Sequence, residues 1–379
     1  MRPLRAMLVA LAAAAAVLVP SIASPPASAA VGSGAVFNDP TDPAKQYAIR
    51  DHLRSLIQGA PAGSTISIAI YHFTDTTVST DLLAARDRGV NVRLVADYSS
   101  ASSAPVVSLV NALGTDQAKS SWVTLCTKDA ACIGSTGTPI MHNKFFLFSS
   151  TSGSTNVVVQ SSANLTKANA ENYWNNAVTV VGNTDLYNGY LSYFKDLAAK
   201  RKNSDYYRTV SAGNVKAYFF PRAGTTADTD TVYNMLNENV TCEGNTSVGT
   251  QTGRTIIRIG MWYFSRDNIA RKLRELADRK CWIEVVYTTM DDGSRSYLSG
   301  HDRIVLYRID DGTHIVHSKY LLVEGTYAGV KDSKWVFTGS HNYTNAALRE
   351  NDEALVRIQS NAIHDQYRAN FWALRTAAS

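Results

Sequence analysis

The sequence predicts an α/β chain made of two similar repeats, each a mostly parallel sheet flanked by helices. Three observations carry this. An apolar strand, a helix and a second strand occur in that order twice, at a constant spacing of 191 residues. A His-x-Lys strand followed by Ser-x-Asn also occurs twice, between His142 and Asn164 and between His317 and Asn342. A length of 379 residues accommodates two units at roughly 150 residues per domain.

The chain opens with Arg2 and Arg5, an apolar run from Ala6 to Val19, a proline-containing spacer and Ala27-Ser28-Ala29. This is the pattern of a secretory leader cut after Ala29. The apolar run is too short to cross a bilayer, which takes roughly 20 apolar residues, and no later stretch is long and apolar enough. An exported, soluble protein is therefore expected, with residues 30–212 as the first repeat and 213–379 as the second. From Pro43 to Gln58 the spacing of Tyr47, Ile49, Leu53 and Ile57 is helical. A strand follows from Ile66 (ISIAIYHF), then a helix around Asp81 to Arg88 and a strand in VNVRLVADY. Strand, helix and strand with short connections is the rhythm of a parallel sheet covered by helices. The same three elements return as IRIGMWYF from Ile257, NIARKLRELADRK and WIEVVYTT. Helices near Tyr190 and Tyr367 close the two copies.

Each copy carries an insertion before its His-x-Lys strand. The first, Ser99 to Pro139, is rich in Ser, Ala, Gly and Thr and reads as mobile loops near a site. The second, Met290 to Asp311, is shorter. Asn203 to Gly213 is polar and reads as a linker, with VKAYFFPR from Val215 opening the second copy as a strand.

The formal charge of +5 falls to +3 without the two leader arginines. That is too little to imply a polyanion partner, because nucleic-acid binders usually show a strongly basic face. Four cysteines in an exported chain suggest disulfides with three connectivities open. The expected one joins Cys126 to Cys132 and Cys242 to Cys281. No C-x-x-C spacing points to a metal, and no cofactor is expected.

The runs KFFLF and KYLLV, bounded by turn residues, read as buried strands, and on a strand residues i and i+2 share a face. So His142 shares a face with Lys144, and His317 with Lys319. Twenty residues on, Ser162 and Asn164, and in the second copy Ser340 and Asn342, complete each set. One His-x-Lys is common by chance; two, each followed by Ser-x-Asn inside a duplication, are specific. The chain resembles the phospholipase D superfamily, which includes phospholipases D, cardiolipin and phosphatidylserine synthases, endonucleases and tyrosyl-DNA phosphodiesterase. The resemblance covers the chain from about Pro43 to its C-terminus.

The resemblance implies two phospholipase D-like repeats related by a pseudo-twofold axis, with both His-x-Lys strands meeting at one cleft. It also implies metal-free phosphodiester cleavage, in which one histidine attacks phosphorus and the other protonates the leaving oxygen. Such chemistry needs a nucleophile, an acid, and fixed donors around an increasingly anionic phosphorus. His142, His317, Lys144 and Lys319 are the expected catalytic groups, and Asn164, Asn342, Ser162 and Ser340 the expected phosphate-binding ones. The family motif carries Asp seven residues after each His; here those positions hold Ser149 and Glu324. On a continuing strand they have opposite parity to the His, so they bear on support more than on chemistry.

A second group should orient each imidazole through one ring nitrogen. The expected pairs are Glu353 with His317, and Asn176 with His142, with Asn175 as the register alternative. A carboxylate favours the imidazolium and a neutral amide leaves the ring nucleophilic. On those pairs His142 is the nucleophile and His317 the acid. Bland readings apply elsewhere. His314 lies three residues before His317 and so faces the other side of a strand; His341 either lines the cleft or packs structurally. Tyr71, Trp262 and Tyr263 end the first strands, where core packing is their expected role, and His52, His72, His301 and His364 are background.

The leading expectation is a secreted phospholipase D that acts at a membrane or vesicle surface. It would release the head group of a glycerophospholipid such as phosphatidylcholine, leaving phosphatidic acid, with transfer to added alcohols. The alternatives are a secreted nuclease of the same superfamily and a non-catalytic phospholipid or polyanion binder. A monomer is expected.

Overall fold

A computed structural model describes residues 30–378; the leader assigned to residues 1–29 lies outside the described residues. Among these residues no helix is long and apolar enough to cross a membrane.

Each repeat contributes one mixed sheet. In the first, the strands run Gly34–Phe37, Asn176–Val180, Ser154–Ser161, Lys144–Thr151, Thr65–Ile70, Asn91–Ala96 and Trp122–Leu125 across the sheet. In the second the order is Ile304–Arg308, Trp282–Met290, Ile256–Phe264, Lys319–Tyr327, Val330–Gly339, Ala354–Gln359, Val215–Phe219 and Arg208–Ala212. The helix-crossover strands pair in parallel, as read from the strand-helix-strand rhythm. Within the two main sheets parallel pairing stops there. The His-x-Lys strands run antiparallel to their neighbours because a two-residue turn sends each straight back. In the first repeat that turn is Ser152-Gly153, both at positive φ, the geometry that joins two strands in a tight hairpin.

Two further sequence readings are corrected. The first insertion is not all loop: it holds the helix Ala104–Leu113 and the strand Trp122–Leu125. Val106, Leu109 and Leu113 recur at helical spacing and are buried with Val123 against the sheet. The second insertion likewise holds the helix Asp292–Leu298 and the strand Ile304–Arg308. The polar linker contains the strand Arg208–Ala212, which turns at Gly213 (φ 66°) into Val215–Phe219. Its side chains are largely exposed at the sheet's edge, which is why its composition reads as linker.

The layers are helix, sheet, helix, sheet, helix. Outer helices Ala48–Gln58, Thr76–Asp87 and Ala104–Leu113 cover one face of the first sheet. Thr231–Asn239 and Asp267–Asp278 cover one face of the second. Between the sheets lie Thr184–Ala198 and Asn361–Ala377, whose Tyr190, Phe194, Tyr367 and Phe371 share a buried cluster with Phe145 and Leu147 of one sheet and Tyr320 and Leu322 of the other. Burial on both faces explains why the His-x-Lys strands read as unbroken apolar runs. Both expected disulfides are present, Cys126–Cys132 and Cys242–Cys281.

The His-x-Lys segments start where parallel strands end. Ile70 is in register with Lys144, and Met261 with Lys319. Loops beyond the carboxyl ends of parallel strands are the usual place for sites in α/β sheets.

Candidate active site

Backbone pairing across the two repeats builds the site. The His142 N–H donates to the carbonyl of Asp352 (3.0 Å), and the Asp352 N–H to that of Ile140 (3.0 Å). On the other side His317 donates to the carbonyl of Trp174 (2.9 Å), and Ile315–Val316 pairs in parallel with Tyr173–Trp174. Each His-x-Lys segment is thus stitched to the other repeat, and the stitch carries the next residue along, Glu353 or Asn175, to the imidazole.

The side chains follow, and they correct the expected pairing. Glu353 Oε1 lies 2.8 Å from His142 Nδ1, while Asn175 Oδ1 lies 2.8 Å from His317 Nδ1. The partners are crossed between repeats. Asn176 does not touch either imidazole: its amide donates to Thr338 Oγ1 (2.7 Å) and the Tyr367 hydroxyl (2.9 Å) in the core. The register was legible. The offset of 178 relating Ser162 to Ser340 and Asn164 to Asn342 also relates Asn175 to Glu353. The crossing was not legible, because it depends on how the two repeats dock.

Asn175 is held in one orientation, since its amino group donates to the carbonyls of Asn169 (2.9 Å) and Tyr173 (3.2 Å). Its oxygen therefore faces His317 and requires the proton on Nδ1. Ser162 Oγ donates to Asn175 Oδ1 (2.9 Å), and Ser340 Oγ donates to Glu353 Oε2. A hydroxyl has one proton, so these serines, expected to bind phosphate, instead brace the groups that orient the histidines.

The lysines lie beneath the two histidines. Lys144 Nζ donates to the His142 carbonyl (2.6 Å) under the Tyr71 ring (5.2 Å), and Lys319 Nζ to the His317 carbonyl (2.5 Å) under Trp262 (5.3 Å). Tyr71 and Trp262 also contact His142 and His317, at ring distances of 5.1 and 5.0 Å. Both aromatics are thus part of the site's wall and not only core. Asn164 turns its carbonyl oxygen to the His72 N–H (3.3 Å), which leaves its amino group as a donor. Asn342 Oδ1 is buried without a partner. Ser149 and Glu324 sit far along their strands: Ser149 Oγ accepts from the Thr65 N–H (2.8 Å), and Glu324 pairs with Arg258 (2.8 Å).

Charge in this site is unbalanced. Burial, reinforced by the neighbouring lysines, pushes both imidazoles well below their usual range. Burial takes Lys144 down to about 7 and Lys319 well below the lysine range. It also raises Glu353 to about 8, against the pull of the two lysines. Two ammonium groups and two imidazoles face one carboxylate between them, with Asp97 behind, bonded to the Met141 N–H (3.0 Å). A bound anion would restore the balance.

Sequence reasoning missed Asp352. Its fully buried carboxylate accepts N–H bonds from Cys132 (2.8 Å), Ile133 (3.0 Å) and Gly134 (2.7 Å). The loop closed by Cys126–Cys132 in the first repeat therefore grips the residue next to Glu353 in the second. Cys126, Cys132 and Asp352 lie within 4.8 Å of one another. The sulfurs are bonded to each other and the carboxylate is taken by the three amides, so these groups are not metal ligands.

Two repeats of one α/β unit, joined at a single cleft by paired His, Lys and Asn, define a member of the phospholipase D superfamily. The chain matches the family model "Cardiolipin synthase, PLD-like domain" over residues 53–198 and 251–375, more than half its length and once per repeat, and belongs to that family. In fold it is similar to phosphatidylserine synthase of Haemophilus influenzae, with a TM-score of 0.59 at 11% identity over 90% of this chain and 85% of that one. It is similar also to polyphosphate kinase of Porphyromonas gingivalis, at 0.58 and 12%, covering 90% of this chain but spanning half of that one (50%). Nuc of Salmonella typhimurium matches 45% of this chain over 95% of its own length, with 22% identity and a TM-score of 0.33. No curated protein matches the chain.

Proposed function

We propose that this protein is an exported phosphodiesterase that works without a metal through a phosphohistidine, and that His142 is the nucleophile. The observation that carries this is the pair of imidazoles, each fixed through Nδ1 by a partner of different charge. The crossed pairing removes the ground on which the sequence favoured His142 and supplies another. Attack through Nε2 leaves His142 with phosphorus on Nε2 and a proton on Nδ1, so the ring becomes cationic. Glu353 stabilises that charge, as a buried carboxylate does for an imidazolium in other nucleophile–base pairs. His317 has only a neutral amide; when the anionic phosphodiester offsets the two lysines the ring takes a proton from solvent on Nε2, and this imidazolium, the stronger acid, gives that proton to the leaving oxygen. In the second half, neutral His317 takes a proton from water, which attacks phosphorus and releases His142. Lys144, Lys319, Asn164 and Asn342 hold the phosphoryl oxygens.

The substrate of the leading reading is a glycerophospholipid whose head group is released, in keeping with the lipid enzyme in the family's description. A nuclease is the second reading, favoured by the polar segments at the cleft: Thr127 to Pro139 and Asp310 to His314 carry few apolar side chains. The test is to incubate the mature protein, in EDTA, with phosphatidylcholine vesicles and with single-stranded DNA, then to quench and map the phosphoryl adduct. Choline release with an acid-labile adduct on His142 is expected, accumulating in His317→Asn. Nucleotide release alone moves the substrate to nucleic acid. An adduct on His317 in the unaltered protein overturns the assignment of roles, and silence on both substrates leaves the binder reading.

A further inference from the structure

The exchange of Glu353 for Asn175 between the repeats is accompanied by a second exchange two residues earlier. The offset of 178 that relates Asn175 to Glu353 also relates Tyr173 to Asn351. The two residues at this place do different things. Asn351 accepts from the Ile140 N–H (3.1 Å), and its side chain helps to hold the Glu353 charge. Tyr173 instead lays its ring on the His317 imidazole, with centroids 5.5 Å apart and planes 27° from parallel. Residues i and i+2 of an extended segment share a face, and Tyr173 and Asn175 accordingly both reach His317, one at the ring's face and the other at Nδ1. The backbone that carries Tyr173 is fixed. Tyr173–Trp174 pairs with Ile315–Val316, and the Tyr173 carbonyl accepts from Asn38 Nδ2 (2.8 Å) and Asn175 Nδ2 (3.2 Å).

The other aromatic rings of the site are matched between the repeats and shared with the lysines. Tyr71 and Trp262 stand 191 residues apart at the same place, and each touches its histidine while a lysine ammonium, Lys144 or Lys319, lies over its ring. Among the described residues no lysine or arginine lies over Tyr173, so its face serves His317 alone. His142 has one aromatic neighbour and His317 has two. The charged surroundings show why the second matters. Lys319, Lys144 and His142 all disfavour a proton on His317, Asn175 is neutral, and the Glu353 carboxylate is bonded to His142. A ring face stabilises a cation less than a charge-assisted hydrogen bond does. It therefore supports an imidazolium that must still give its proton away.

We propose that Tyr173 is a positioning residue for the acid step, a role that rests on the phosphodiesterase reading of the site: its ring holds the His317 imidazole against Asn175 and steadies the imidazolium while the Nε2 proton passes to the leaving oxygen and the phosphorus–oxygen bond breaks. Tyr173 acts through His317 and needs no contact with substrate. What it contributes is the face of the ring, so the hydroxyl is dispensable and phenylalanine can replace it. The contribution belongs to one half of the reaction. It is felt where the leaving oxygen needs a proton, and not where the leaving group departs as a stable anion.

The test compares diphenyl phosphate with bis(4-nitrophenyl) phosphate on the full mature chain. Phenolate is the poorer leaving group and gains from a proton, whereas 4-nitrophenolate departs without one. Tyr173→Leu and Tyr173→Asn, the second placing at 173 the residue type of the matching position, should lower kcat/KM on diphenyl phosphate about fivefold, or about 1 kcal/mol. On bis(4-nitrophenyl) phosphate the same variants should lose less than about twofold, and Tyr173→Phe should keep both rates. Equal losses on the two substrates, no loss on diphenyl phosphate, or a Phe variant as impaired as Leu overturns the role. If the unaltered protein cleaves neither diester, the catalytic reading fails separately, and proton NMR decides the positioning. The His317 Nδ1–H, assigned by its loss in His317→Asn, should exchange with water about fivefold faster in Tyr173→Leu and at the parent rate in Tyr173→Phe. Equal exchange in parent and Leu variant, or exchange in the parent too fast for the proton to be seen, overturns it.

Discussion

Replacing Glu353 by Gln separates charge from shape at the His142 partner. The carboxylate is fully buried, 2.8 Å from Nδ1, and its other oxygen accepts from Ser340. Losing a charge-assisted hydrogen bond of this kind costs roughly 1.5–3 kcal/mol, or about 10- to 100-fold in rate. A second effect adds to it. With the Gln oxygen accepting from Ser340, its amino group faces His142, so Nδ1 becomes an acceptor and the ring proton moves to Nε2, the attacking atom. Together these predict a fall in kcat of about 10² to 10⁴. The fold should persist. Burial raises Glu353 from 4.5 to about 8, so its charge is penalised in the empty site and a neutral residue suits the fold there; the charge-assisted bond is the one made once the His142 ring becomes cationic. A raised carboxyl stabilises the native state at low pH, and that contribution is lost as pH rises through the folded value. The non-titrating Gln variant should therefore melt progressively higher relative to the parent between about pH 5 and pH 8. The assay is hydrolysis of bis(4-nitrophenyl) phosphate with melting curves at each pH. A rate loss under about tenfold, or a variant that is unfolded at pH 6, would refute the role given to Glu353.

Other outcomes follow from the same geometry. Lys144 is held down to about 7 in the free site, so its charge is lost above neutrality and returns when a phosphate binds. kcat/KM should fall above about pH 7 while kcat holds to higher pH; a flat kcat/KM to pH 9 would sink this. The two disulfides should dissociate stability from activity. Cys126–Cys132 closes a loop with a separation of 6 residues and Cys242–Cys281 one of 39, so their loss costs about 2 and about 4 kcal/mol by chain entropy. Yet Cys126→Ser with Cys132→Ser should lower kcat severalfold, because that loop grips Asp352. Cys242→Ser with Cys281→Ser should not, because Thr241 pairs with Thr326 at the far end of the strand from Lys319. Equal effects of the two double variants on kcat at a temperature where both are folded would count against the clasp.

The sequence alone settled what is periodic or repeated. Strand and helix spacing gave the three elements of each copy, and the duplication gave two cores and the paired His142, Lys144, Asn164 and His317, Lys319, Asn342. These are properties of short stretches, where side-chain alternation and apolar burial act between neighbours in the chain. Residues 208–212 and 104–125 were misread because an edge strand is mostly exposed and the Ser-, Ala-, Gly- and Thr-rich composition of the whole insertion masked the helical spacing of Val106, Leu109 and Leu113 within it. Tertiary structure alone decided who partners whom. Glu353 reaches His142, 211 residues away, and Asn175 reaches His317, 142 residues away, because each His-x-Lys segment bonds its backbone to the opposite repeat. The same holds for Asp352 in the grip of the Cys126–Cys132 loop. Such contacts carry no local period, so no pattern in the chain announces them.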